Sequence, residues 1–214
     1  TGKVAVIDGV AYPSNVNYQY GFMSGVNYAN KYYGTTAECI EIASYAGTDV
    51  LGNNVGGNYV GSFADEAQGK VVAEALIGEG VDILFVAAGS SGNGCFTAAM
   101  EAEGVMVIGC DVDQFDDCIK NGQSIVLTSS LKGMGTNVYK QLCAINDGTF
   151  VGEDAYLDAS TDSAGYVSAD GRNLLSDDAK AKLEEVFALV KDGTIVPAAD
   201  ATANEYLPDN FPGL

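Results

Sequence analysis

Six consecutive small residues, Gly89-Ser90-Ser91-Gly92-Asn93-Gly94, follow the apolar run "DILFVAA" and precede the segment "CFTAAMEAEG". A strand, a glycine-rich turn and a helix form the arrangement that cradles phosphates, because the N–H groups of the turn and helix N-terminus face an anion. The spacing argues against that chemistry. A dinucleotide fingerprint reads G-x-G-x-x-G and opens the first βα turn. Here the order is G-x-x-G-x-G, and the turn is the third. A P-loop needs a Lys after the glycines, and none follows. The same residues can present N–H groups and hydroxyls to uncharged polar groups such as sugar hydroxyls. They can also be a tight turn that lets a helix pack close to its strand.

Other residues able to do chemistry fall at the ends of predicted elements. Asp8 ends the first strand, Phe63 opens the second helix, and Asp111 ends the strand "VMVIGCD". Lys132 follows the strand "QSIVLTSS". In an open α/β sheet the carboxyl ends of the strands border the ligand crevice. Each residue also has a structural reading: Asp8 and Asp111 as turn caps, Phe63 as core, Lys132 as a solvated side chain.

Composition removes several functions. The chain has 214 residues, a net charge of −19 and no histidine. So acidic a surface repels nucleic acid and anionic membranes. Without histidine there is no Ser-His-Asp or Cys-His catalysis and no His-ligated metal. The five cysteines, Cys39, Cys95, Cys110, Cys118 and Cys143, contain no CxxC pair and are odd in number. They read as free thiols rather than as a zinc site or a disulfide framework. No apolar run reaches the length of a membrane span, and no signal peptide is visible at the start.

The elements that must position these residues follow from periodicity. "KVAVID" reads as a buried strand. Phe22, Val26, Ala29 and Tyr33 form a helical stripe that Gly34 stops. "ECIEIASYAG" reads as a strand and 47–62 as a loop. Val71, Val72, Ala75 and Leu76 give the second helix its apolar face. "VDILFVAAG" reads as a strand buried on both faces. Residues 94–103 form a helix, as does "LKGMGTNVYKQLCAINDG". "SDDAKAKLEEVFALVKDG" is the most fully signalled helix, with Ser176 as N-cap, Asp177 and Asp178 in the first turn, Lys191 in the last and Gly193 as stop. The segment 148–175 breaks the rhythm as irregular or antiparallel excursions. This alternation predicts an α/β fold with a doubly wound parallel sheet and flanking helices.

In order, the blocks "YVGSFADEAQGK", "DILFVAAGSSGNGCFTAA", "VIGCDVDQ" and "VLTSSLKGM" resemble the basic-membrane-protein family of ABC-transporter solute-binding lipoproteins, the PnrA-like group. That family shows G-S-F-x-D-x-x-x-G-K, A-A-G-G-T-G-x-G-V-F, V-I-G-V-D-x-D-Q and L-T-S-x-L-K. The resemblance implies a type I periplasmic-binding-protein fold, represented mainly by its second lobe. It implies a nucleoside ligand, foremost a purine nucleoside, and delivery to an ABC permease. It implies an extracytoplasmic lipoprotein anchored through an N-terminal region not in this chain, with no cofactor, metal or catalytic residue.

Carried over, the resemblance makes Phe63 the aromatic that stacks on the base and Gly89 a backbone contact near the ribose. Asp111 and Lys132 become the pair that hydrogen-bonds the ribose hydroxyls, their charges offsetting each other when buried. Ser90 and Ser91 replace the family's Gly-Thr pair, with Ser90 kept as a ligand contact. The loop 47–60 is longer than the family's, and the first-lobe block with a second stacking Phe is absent. The resemblance divides the chain into a second-lobe sheet domain (1–131), a crossover segment belonging to the first lobe (132–160), and a return (161–214) with a helix over 176–192. Met134, Val138, Leu142 and Ile145 then form a stripe on helix 133–147 that should face a sheet this chain does not possess. Such a stripe calls for self-association or for folding back onto the chain's own sheet.

Three alternatives stand beside the transport receptor. One is a sensor or a receptor for another, sugar-like ligand on the same fold. One is an enzyme using Cys95 at a helix N-terminus as nucleophile. One is the effector domain of a transcriptional regulator, for which no basic DNA-binding segment is present.

Overall fold

The computed structural model describes residues 1–199. In chain order these form β1 (Lys3–Asp8), α1 (Pro13–Tyr33), β2 (Glu38–Cys39), a 3-10 turn (Ala43–Tyr45), β3 (Gly47–Thr48), β4 (Asn54–Gly56), α2 (Glu66–Gly78) and β5 (Ile83–Ala87). They continue with α3 (Ser91–Glu101), β6 (Met106–Gly109), β7 (Ile119–Lys120), β8 (Gln123–Ser124), β9 (Val126–Lys132), α4 (Met134–Asn146), β10 (Ala164–Tyr166) and α5 (Asp177–Lys191). The part of the expected return segment beyond residue 199 lies outside the described residues.

Six strands make the main sheet in the order β10-β9-β6-β5-β1-β2. All pairings are parallel except that of β10 on β9. From β1 the chain first winds out to β2. It then returns to the other side of β1 and proceeds through β5 and β6 to β9. The direction therefore reverses between β1 and β5, and such a switch point leaves a crevice at the carboxyl ends of the strands. The sheet is wound on both faces. Val72 and Leu76 of α2 and Cys95 and Ala99 of α3 pack with Ile7, Leu84, Val107 and Val126 of the sheet. On the other face Tyr18 and Phe22 of α1 lie against Val6 and Phe85.

Glycine sets how closely α2 and α3 approach. A Cβ on Gly94 would lie 1.8 Å from the Glu66 carbonyl oxygen, and one on Gly69 would lie 2.1 Å from that of Ser91. The glycine-rich stretch is thus mostly helix. Only Gly89 and Ser90 form the turn, and α3 begins at Ser91, three residues before the expected start.

Four other expectations need correction. The buried face of α1 is Asn15, Val16, Gln19, Tyr20, Ser24 and Tyr28, while Phe22, Val26, Ala29 and Tyr33 are half-buried. Buried hydrogen bonds explain this. Gln19 Nε2 donates to the Val55 carbonyl at 2.8 Å and Gln19 Oε1 accepts from the Tyr59 hydroxyl at 2.7 Å, so polar residues occupy the inner face. On α2, Val71 is exposed and Ala73 is buried instead. "ECIEIASYAG" keeps Glu38 and Cys39 as strand β2, with its last residue, Gly47, opening β3, and nothing between them is strand. Asn58 fills the place beyond β2, donating to the Val6 and Ile40 carbonyls and accepting from Ile42 N–H. The stretch 47–62, expected as a loop, contains the short β3–β4 hairpin.

The capping signals of α5 match the structure: Ser176 Oγ accepts from Ala179 N–H at 3.2 Å. Gly34 closes α1 with φ +66°, a left-handed conformation that favours glycine. β10 is the antiparallel excursion within 148–175. Helix α4 has no buried residue; its stripe residues Met134, Val138, Leu142 and Ile145 are exposed. It therefore does not fold back onto this sheet. Among the described residues no helix is long and apolar enough to cross a membrane.

Candidate functional site

The carboxyl edge of the sheet gathers residues far apart in sequence. Phe63, Gly89, Asp111 and Lys132 line one cavity of about 290 Å³, together with Asn15, Tyr18, Phe96, Cys110 and Gln114. Ser90 stands beside this group and acts on the chain near Phe63.

Asp111 lies just past β6 with φ +69°, a left-handed conformation that Asp tolerates better than most residues. Lys132 N–H, at the end of β9, donates to its carbonyl at 3.0 Å, and Cys110 N–H donates to Gln114 Oε1 at 2.8 Å. These bonds hold the bend. They also aim the carboxylate, whose Oδ1 pairs with Lys132 Nζ at 2.9 Å and accepts from the Tyr18 hydroxyl at 3.4 Å. Lys132 Nζ sits 5.1 Å from the centre of the Tyr18 ring, within range of a cation–π contact. Burial, with the neighbouring Cys110 and Asp111, pushes the Tyr18 phenol above its ordinary range, so it stays a donor. Burial likewise pushes the Cys110 thiol up to about 11.

The Asp111–Lys132 pair is partly buried in this chain. The side chains are 46% and 44% exposed, because the sheet edge leaves one side of the cavity open. A pair in that setting contributes only about 0–1 kcal/mol to stability. Its geometry serves recognition instead: a carboxylate that accepts and an ammonium that donates, side by side.

Phe63 lies in the loop before α2 rather than opening the helix, and it is half-buried. Its main chain is fastened by α3: Ser90 Oγ and Ser91 N–H donate to its carbonyl at 2.9 and 3.2 Å. Its ring lies over Gly9, where a Cβ would come within 2.2 Å of the ring. Gly89 has φ +57°, and a Cβ there would stand 3.0 Å from the Phe63 carbonyl oxygen. Glycine at 9 and 89 therefore lets the aromatic sit down on the strand ends.

Asp8 ends β1 but does not line the cavity. It is fully buried, and burial pushes its carboxyl up to about 8 against the lowering effect of an Asn15 hydrogen bond. Cys95, the candidate nucleophile, faces α2: it is fully buried, its thiol donates to the Gly69 carbonyl at 3.3 Å, and burial raises it to about 12. That is the opposite of an activated thiolate. Among the described residues no acidic or cysteine cluster could hold a metal ion.

Motif spacing did not single out Asn15 and Tyr18. Their signal was in "PSNVNYQYGF": two polar-tipped residues three apart, hence on one helix face, in the helix entered directly from β1.

The family described as PnrA-like ABC transporter substrate-binding proteins matches residues 52–200. The CD4+ T-cell-stimulating antigen of Listeria monocytogenes serovar 1/2a is 28% identical over 205 residues, covering 90% of this chain and 55% of that protein. The ABC transporter nucleoside-binding protein BmpA of Lactococcus lactis subsp. cremoris is 37% identical over 106 residues, covering 44% of this chain and 30% of that protein. Among solved structures, an ABC transporter solute-binding protein from Aeropyrum pernix K1 superposes with a TM-score of 0.72 at 21% identity, covering 94% of this chain and 59% of that one. The chain thus spans little more than half the length of the Listeria and Aeropyrum proteins. With the family matched over more than half of the chain, and the fold shared with ABC solute-binding proteins, this chain belongs to the PnrA-like family of ABC transporter substrate-binding proteins.

Proposed function

We propose that this chain supplies one wall of a nucleoside-binding cleft in the extracytoplasmic receptor of an ABC importer, with purine nucleosides as the foremost ligands. The carrying observation is that the half-exposed Phe63 ring and the Asp111–Lys132 pair line one cavity. A flat aromatic face stacks on a nucleobase with little regard to its identity. A carboxylate beside an ammonium accepts from one ribose hydroxyl and donates to the next through charge-assisted bonds. Gly89 and Ser90 border the same ligand from the turn before α3. The Lactococcus relative, named a nucleoside-binding protein, supports the reading. The cavity of about 290 Å³ is at the low end for a small-molecule site. That suits a cleft completed by a second lobe, as the greater length of the relatives suggests. The receptor would be held at the membrane by a lipid anchor outside this chain and would present its closed form to a permease.

Calorimetry on the full-length protein tests this. A purine nucleoside should bind, and Asp111→Ala should weaken it by about 100-fold, the loss of charge-assisted hydrogen bonds. Wild-type affinity in the mutant would make Asp111 only a turn former. Free ribose binding as tightly as its nucleosides would move the assignment to a sugar-like ligand, since Phe63 would then contribute nothing.

A further inference from the structure

Asn15 is 5% exposed yet lines the cavity. Its carboxamide orientation is decided by its neighbours. The Ala87 carbonyl can only accept, so the Asn15 nitrogen must face it, and Nδ2 lies 2.8 Å from that oxygen. The same nitrogen donates to Asp8 Oδ1 at 3.1 Å. Both amide hydrogens are therefore used at the strand ends. The oxygen, Oδ1, is turned away from them. Among the described residues its one hydrogen bond is a long 3.5 Å contact from the exposed Ser14 hydroxyl.

Asp8 holds this orientation from behind. It is fully buried, no cation pairs with it among the described residues, and its Oδ2 has no hydrogen-bond partner. A carboxyl so placed is best accommodated neutral. As a neutral group it still accepts from Asn15.

The order of strands says which end of the ligand Asn15 meets. Lys132 and Asp111 stand at the ends of β9 and β6. Asn15 is tied to the ends of β5 and β1 through Ala87 and Asp8, and Phe63 covers the same two strands over Gly89 and Gly9. Asn15 thus shares the aromatic end of the cavity, away from the charged pair.

We infer that Asn15 Oδ1 is a fixed hydrogen-bond acceptor for the base of the ligand and selects bases that carry an N–H donor on the edge facing it. The inference rests on the nucleoside reading proposed above. A buried acceptor locked in place discriminates strongly against an analogue without the donor, because the acceptor is then left unpaired.

The test is calorimetry on the full-length protein with inosine, whose base carries an N–H, and with purine riboside, whose base carries none. Wild-type protein should favour inosine about tenfold or more. In Asn15→Leu that ratio should fall toward one, with the affinity for purine riboside held within about threefold. Asn15→Ser, too short to reach the base but still polar at the strand ends, serves the same comparison should Asn15→Leu fail to fold. Equal losses for both nucleosides would show Asn15 to be a packing residue and overturn the inference while leaving the nucleoside reading intact. Failure of both nucleosides to bind the wild-type protein would overturn the nucleoside reading itself, and this inference with it.

Discussion

Helices α3 and α4 were both legible as helices, and they end in opposite surroundings. In α3, Cys95, Phe96, Ala98 and Ala99 are buried against α2 and the sheet. In α4, Met134, Val138, Leu142 and Ile145 recur at helical spacing and all are exposed. An apolar stripe states that a helix needs a partner surface; it does not state where that surface is. For α3 the partner is nearby in the chain and fitted to it by Gly69 and Gly94. For α4 the described residues offer none, and the solved Aeropyrum relative is the longer protein, of which this chain covers 59%.

The comparison can be broken from its buried side first. Leu76→Ala in α2 removes a side chain with no exposure and should cost about 2–5 kcal/mol in a urea titration. Next comes Asp8. Its carboxyl is raised from 3.8 to about 8 in the folded chain, so between those pH values the folded state keeps a proton that the unfolded state releases. Its contribution to stability is fully present below about pH 4 and is lost as pH rises toward 8. Asp8→Asn should flatten that slope and, near pH 8, be more stable than wild type by on the order of a few kcal/mol. Denaturation at a series of pH values reads the difference, and parallel curves would mean that Asp8 is ionised in the fold. Gly94→Ala should cost about 1–3 kcal/mol by forcing α3 off the Glu66 carbonyl, partly offset by the better helix propensity of alanine.

The smallest effect sharpens the contrast. Leu142→Ala in α4 should change the stability of the monomeric 214-residue chain by no more than about 0.5 kcal/mol. A loss as large as that of Leu76→Ala would show α4 packed against its own chain. The exposed face should instead act between molecules. Light scattering on the 214-residue chain should give a mass above its 22.1 kDa, and Leu142→Lys should return it to that value while the fold is kept.

Much of the fold was readable residue by residue. The apolar runs of β1, β5 and β6 were visible as strands, Ser176 and Gly34 as helix boundaries, and the strand–helix alternation as a doubly wound sheet. Part of the site was readable for the same reason. If strands run parallel, their carboxyl ends share one edge, and Gly89, Asp111 and Lys132 had to come near one another. The structure sets them around one cavity with Phe63. These inferences use local patterning plus one rule of topology, and both are written along the chain.

What only the tertiary structure decided depends on contacts between distant segments. Gly92 read as a loop residue because a sequence window cannot see Val86 of β5 pressing against the first turn of α3. The buried face of α1 is partly polar because Gln19 meets Val55 and Tyr59, which no hydrophobic period reveals. How far the Asp111–Lys132 pair is exposed is set by what covers the sheet edge. Asn15 and Tyr18 acquire their places through bonds to Ala87, 72 residues away, and to Asp111, 93 residues away. A side chain's type and its helix face are properties of the local sequence. The direction in which an amide points, the proton a carboxyl keeps and the partner a stripe requires are set by the field and packing of atoms that folding brings together.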